Sequence, residues 1–250
     1  MSSLYHQTSH LIQSTYTTLH RTFLTGIQVI RHNSRPFLLL QTGYWSLALI
    51  GVALTYKYPR LQQKSLDSAN RDLESYKIGR IVVSAYENGR VLEASAWTLG
   101  VNLLVGAMGC ITLPSMVLPF SGIVMMGIRA ISWGMIFSPV AGKPDALTVP
   151  HLITMLLEGQ GYILAGLGDR ILARGIINQL GLWWVGKGEG EVRLDEETQE
   201  KKKSWISWPG YREGLKDVLA LYGPITAVLA IAALWEAYEV IHLKDGFYGV

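Results

Sequence analysis

From Ala94 to Ile128 the chain runs 35 residues without a charged side chain, and Pro114, Pro119 and Gly122 interrupt that run. A helix crosses the hydrocarbon core of a bilayer with about 20 apolar residues. A soluble domain has no use for so long an apolar stretch, whereas two membrane-crossing helices folded back to back need this length and this break. The expected fold class is therefore all-α: a polytopic membrane protein with about five transmembrane helices behind an N-terminal amphipathic interfacial helix.

Composition agrees with that reading. Hydrophobic residues make up 49% of the 250 and charged ones only 16%, against about 25% charged in typical soluble domains. The mean hydropathy of +0.23 is modest because the first 35 residues and the stretch after Gly168 are polar. One cysteine, Cys110, excludes an intramolecular disulfide. A net charge of +3 is too small to imply nucleic acid, and the basic residues cluster beside apolar segments, where anionic headgroups would meet them. No cleavable signal peptide is expected, since the N-terminus is rich in Ser, Thr and His and the first long apolar segment starts near Pro36.

Leu4, Leu11, Ile12, Tyr16, Leu19, Phe23, Ile27 and Ile30 recur at helical spacing among polar residues, which predicts an amphipathic helix in segment 1–35. It would lie in the membrane interface as an elbow before the first span, or pack on other protein. The membrane domain, 36–245, has predicted spans at about 37–56, 94–118, 123–137, 149–167 and 218–243. The segment 57–93 reads as extramembrane and helical, with an imperfect stripe of Leu61, Leu66, Leu73, Ile78, Ile81 and Val82. A tight turn at Pro119–Gly122 joins spans two and three, and the third is short. A Gly/Pro/Asp loop, Pro139–Thr148, precedes span four. In the second extramembrane segment, 169–217, a helix leaves the bilayer along its surface with Arg170 and Arg174. A flexible loop follows at Lys187–Lys203, where 11 of 17 residues are charged, and Trp205, Trp208 and Tyr211 return the chain to the interface. A cytoplasmic N-terminus puts 12 basic residues inside and 9 outside, a weak positive-inside bias that favours a cell-membrane protein in that orientation.

Ionisable groups inside a span cost several kcal/mol unless paired or hydrated. Arg129, Glu158, Glu236 and Glu239 meet that description, and Asn102 adds a polar amide early in span two. Glu239 reads as a solvated helix end. Glu236, deeper, reads as a salt bridge or an interhelical hydrogen bond. Arg129 and Glu158 could form an ion pair across consecutive spans, line a polar cavity together, or stay apart. His151 opens span four and shares a face with Glu158 seven residues on, most simply as a helix-start residue. No metal site is expected, for lack of further ligands at helical spacing, and no cofactor, because nucleophile elbow, P-loop and dinucleotide fingerprint are all missing. Gly106 with Cys110, Ala130 with Gly134, Gly161 with Ala165, and Ala233 with Ala237 stand at small-xxx-small spacing, which lets helices approach closely in lipid.

The order of parts resembles the stage II sporulation protein M family. The resemblance rests on Val101–Gly109, Pro150–Gly166 and Ala232–Val240, and within them on Asn102, Pro150 with His151, and Ala232 and Ala233 with Glu236. The chain departs at Leu152, where many relatives have Gly. The resemblance implies a helical membrane protein that, in spore formers, helps organise a peptidoglycan-degrading complex, with a helical arrangement similar to permease subunits of some exporters. The expected function is accordingly a non-enzymatic scaffold for a cell-envelope complex, whose partners are the lipid bilayer, other membrane or envelope proteins, and a second copy of itself in a homo-oligomer. The alternative is a permease-like protein for a small molecule, lipid or ion, with Arg129, Glu158, Glu236 and Asn102 along the route. An intramembrane enzyme comes third.

Overall fold

The computed structural model describes residues 17, 20–138, 149–180 and 209–242. The loop at Pro139–Thr148, the charged loop at Lys187–Lys203, Trp205 and Trp208, and the first part of the amphipathic stripe lie outside them. Among the described residues the chain is helical, with eight helices and no strand. These are α1 (20–32), α2 (Ser34–Lys57), α3 (Arg60–Ser75), α4 (Lys77–Glu87), α5 (Val91–Val117), α6 (Ser121–Ile136), α7 (Val149–Leu180) and α8 (Pro209–His242). Three of them, α2, α5 and α8, are long and apolar enough to cross a membrane. Helix α6, with 16 residues, is about 24 Å long, shorter than a typical hydrocarbon core.

Helix α7 explains why apolar length alone misses part of the bundle. It packs on α2, α5, α6 and α8, most extensively on α8, and its residues 161–169 are buried without interruption. Around this enclosed stretch the helix presents little surface, so it tolerates Glu158 and Gln160, while Leu152, Ile153 and Leu156 nearer its start are exposed. The outer helices show the converse. Leu39 is 72% and Leu49 68% exposed, and Leu104, Val117, Val124, Ile128, Leu219 and Ile231 are exposed as well. So large a belt of exposed aliphatic side chains has no place on a monomeric protein in water.

Close packing rests on small residues. Any Cβ added to Gly134 would collide with the Ala48 carbonyl, and one on Gly51 with the Ile131 carbonyl, so α2 and α6 meet backbone to backbone. Gly106 accepts the Tyr162 ring, with its Cε1 3.0 Å from an ideal Cβ, and Gly161 accepts Leu229 at 2.6 Å. Ala237 joins Ala85 and Ala94 in a cluster that ties α8 to α4 and α5. Each of the four small-residue pairs thus supplies at least one buried contact position.

Within α5, Val101–Thr112 is wound as a π-helix, and the Leu113 N–H donates to the Met108 carbonyl five residues back. Such widening is rare beyond a single turn, and its first turn takes in Asn102. The turn into α6 is as tight as the sequence predicts. Phe120 adopts a left-handed φ of 67°, and its N–H donates to Asp169 Oδ1 at 3.1 Å while the Ile123 N–H donates to Oδ2 at 2.6 Å. A carboxylate from α7 therefore caps the orphan N–H groups of α6, a role that a residue of the helix's own chain end usually fills. At the other end of α6, Gln62 of α3 donates to the carbonyls of Ile136 (3.0 Å) and Ser138 (2.6 Å), and Thr55 donates to the Ser138 hydroxyl at 2.5 Å.

Several boundaries differ from expectation. The segment expected to leave the bilayer after residue 167 continues as the same helix to Leu180, because Leu172, Ala173 and Ile176 stay buried, Leu172 and Ile176 in a cluster with Tyr211 and Val218. Helix α8 starts at Pro209, well before the expected 218. Segment 57–93 is helical as read, but the largest of its buried side chains, among the described residues, is the polar Gln62, while Ile78 is exposed. In α1 the packed face centres on Gly26 and Val29, with Phe23 partly exposed, because Gly26 lies against Ala220 and Pro224 of α8.

Candidate intramembrane polar site

Side chains from several helices meet in the middle of the bundle. Arg129 of α6 donates from Nη2 to the Tyr162 hydroxyl at 2.7 Å, Tyr162 donates to Asn102 Oδ1 at 3.0 Å, and Asn102 Nδ2 donates to Glu158 Oε1 at 2.5 Å. Glu236 of α8 lies within electrostatic reach of Glu158. The Arg129 guanidinium sits 4.1 Å from the centroid of the Tyr162 ring and 5.3 Å from that of Trp133. Trp133 and Tyr162 pack edge to face at 5.8 Å. Stacking on aromatic faces compensates a guanidinium withdrawn from water.

Three of the five residues singled out from the sequence, Asn102, Arg129 and Glu158, therefore belong to one hydrogen-bonded relay, and a fourth, Glu236, lies within electrostatic reach of its end. The direct Arg129–Glu158 ion pair is not how they meet: Tyr162 and Asn102 stand between them. The reason is local geometry. Tyr162 lies one helical turn beyond Glu158 on the same face of α7, and Gly106 leaves room for its ring, so the phenol reaches Arg129 first. The fifth residue, His151, lies in the first turn of α7, and its side chain is outside the described ones.

Glu239 requires a correction. It is 1% exposed, and Thr154 of α7 donates to its Oε2 at 3.2 Å, so it is no solvated helix end. The N-terminal part of α5 and helix α4 pack on this end of α8, which closes it off. Tyr86 of α4 shares a hydrogen bond with Thr98 at 3.0 Å, and burial together with the nearby Glu236 pushes its phenol well above the usual range. Tyr44 of α2 adds a further hydroxyl, 1% exposed and without a hydrogen-bond partner. Its ring fills the space beside Gly159, with Cε1 3.1 Å from an ideal Cβ, and its oxygen lies within electrostatic reach of Arg129 and Glu158. A second, neutral contact links α2 and α7 through the amides of Gln41 and Gln160, with Trp45 Nε1 donating to Gln41 Oε1 at 3.0 Å.

Tyr44, Tyr162 and Thr154 were not legible as site residues in the sequence. Tyr162 left one usable signal, its position four residues after Glu158. Among the described residues no group of three or more His, Cys, Asp or Glu side chains is arranged to hold a metal ion. Comparison with protein-family models, with curated proteins and with solved structures finds no match.

Proposed function

We propose that this chain is a non-enzymatic, permease-like integral membrane protein that moves a small solute, a lipid or an ion, with the polar relay along its route. One observation carries the reading: Arg129, Tyr162, Asn102 and Glu158 are hydrogen-bonded in sequence through the interior, with Glu236 within electrostatic reach of Glu158. Burying Glu158, 4% exposed, beside a partly buried guanidinium costs far more than a packed apolar interior would, and intramembrane ionisable groups mark substrate and ion pathways. The resemblance to the stage II sporulation protein M family supports the reading, because Asn102, one residue on which it rests, belongs to this relay and Glu236, another, lies within electrostatic reach of Glu158. In this reading α6 and α7 also cross the bilayer, which gives five spans with the N-terminus in the cytoplasm and α1 at the interface. The test is a flux assay on purified protein in liposomes. Glu158→Gln should abolish movement while the protein still elutes as a folded species, and flux equal to wild type would refute the reading.

A second reading keeps the scaffold role for a cell-envelope complex. It is favoured by the α3–α4 pair, which carries Ile78 and Val83 and the intervening Tyr76 exposed, apolar surface available to a protein partner. Affinity purification in mild detergent should then recover a specific envelope protein, and Tyr76→Asp with Ile78→Asp should lose it. Recovery of no specific partner would count against this role.

A further inference from the structure

We propose that Arg129 and Tyr44 hold an oxyanionic group, the carboxylate or phosphate of a small solute or of a lipid headgroup, in the space between α2, α6 and α7. The first ground is an unused donor. Arg129 Nε is buried and has no hydrogen-bond partner, while Nη2 is taken up by the neutral phenol of Tyr162 at 2.7 Å. Among the described residues Arg129 makes no ion pair, since Tyr162 and Asn102 stand between it and Glu158. What flanks the guanidinium is the rings of Tyr162 and Trp133, at 4.1 and 5.3 Å. Those rings offset part of the cost of leaving water, but they leave the charge itself uncancelled.

A second unpartnered donor comes from another helix. The Tyr44 hydroxyl has no hydrogen-bond partner, in a side chain only 1% exposed. Packing brings it to the same place. Helices α2 and α6 run in the same direction, with Ala48 against Gly134 and, further along, Thr55 bonded to Ser138. Tyr44, one turn before Ala48, therefore stands level with Ala130, one turn before Gly134, and both join one buried cluster with Tyr162. On α7, Gly159 receives the Tyr44 ring, with Cε1 3.1 Å from an ideal Cβ. Tyr162, three residues on, carries the bond to Arg129, which lies within electrostatic reach of the Tyr44 oxygen. A guanidinium N–H and a phenol O–H both donate, and the positive charge repels a cation, so the occupant is an acceptor that carries negative charge. Water would satisfy the donors and leave the charge, whereas carboxylate and phosphate oxygens do both and match the guanidinium fork. The anion site stands on this geometry, while the identity of its anion with the transported solute rests on the transport reading.

Unfolding midpoints of the full-length protein in an uncharged maltoside detergent test it. Sodium phosphate or sodium acetate is titrated against sodium chloride at constant ionic strength, and phosphatidic acid is added in mixed micelles as a third probe. At least one of the three should raise the wild-type midpoint in a saturable way, as a ligand of the folded state does. Arg129→Gln should weaken the apparent affinity for that probe about tenfold or more, the loss of a charge-assisted hydrogen bond, and Tyr44→Phe about two- to tenfold. Tyr44→Phe also controls for folding, because removing a hydroxyl that bonds to nothing should leave the probe-free midpoint at or above that of wild type. Saturation by phosphate or acetate assigns a dissolved anion, and saturation by phosphatidic acid alone assigns a lipid headgroup. No saturable response of wild type to any of the three, or a response that Tyr44→Phe leaves unchanged, would overturn the proposal. Binding without movement of that anion in liposomes would sink the transport reading alone, and movement of an uncharged solute or a cation with no anion response would sink this proposal alone.

Discussion

Tyr162 holds the relay together because its hydroxyl is at once acceptor for Arg129 and donor to Asn102. Tyr162→Phe should cost about 1–3 kcal/mol, the usual consequence of leaving buried polar partners unsatisfied, read as a lower unfolding midpoint in detergent. Combined with Asn102→Ala it should cost less than the sum of the two single changes, since both cut one network. Asp169 makes a second prediction. It lies beyond the expected span at 149–167, and burial pushes its carboxyl from the ordinary 3.8 up to about 6, although backbone N–H groups of the α6 start pull the other way. The fold then holds this proton more tightly than the unfolded chain does, so its stabilisation is complete below 3.8 and fades as pH rises towards 6. The stability difference between wild type and Asp169→Asn should shrink over that window, and Asp169→Ala should cost about 1–2 kcal/mol as a lost cap. Charge in an apolar run is readable from sequence alone, which is why Arg129, Glu158 and Glu236 stood out. A tyrosine in such a run is equally consistent with packing or an interface, and the capping role of Asp169 depends on a turn 46 to 49 residues away in sequence.

At the scale of helices, the seam between α2 and α6 depends on backbone contact. Gly134→Ala places a methyl group against the Ala48 carbonyl and should cost about 1–3 kcal/mol by overpacking. Gly43→Ala, in the same α2 with nothing within 4 Å of the new atom, should instead be neutral or gain up to about 1 kcal/mol from helix propensity. Chemical denaturation of both variants in detergent separates the two outcomes. Helix existence was legible because Pro and Gly punctuate long apolar runs, and the break at 118–120 fell where Pro119 and Gly122 placed it. Helix ends were less so. Helix α7 runs on to Leu180, past Arg170 and Arg174, because tertiary burial of Leu172 and Ile176 overrides the charge pattern, and Pro224 lies inside α8 without ending it.

For the molecule as a whole, hydropathy identifies the helices that face outward and underrates the one they surround. Helices α2, α5 and α8 pass by length and composition, and α7, which carries Glu158 and Tyr162 of the relay, does not. The arrangement therefore couples two requirements: an apolar belt for lipid outside and a polar line from Arg129 to Glu158 inside. Both fail together if the belt is not in a bilayer. Alkaline extraction of membranes that contain the full-length chain tests this most directly. The protein should stay in the membrane pellet through the alkaline wash and come off only with detergent. Its release into the aqueous supernatant, as a discrete folded species, would contradict the account.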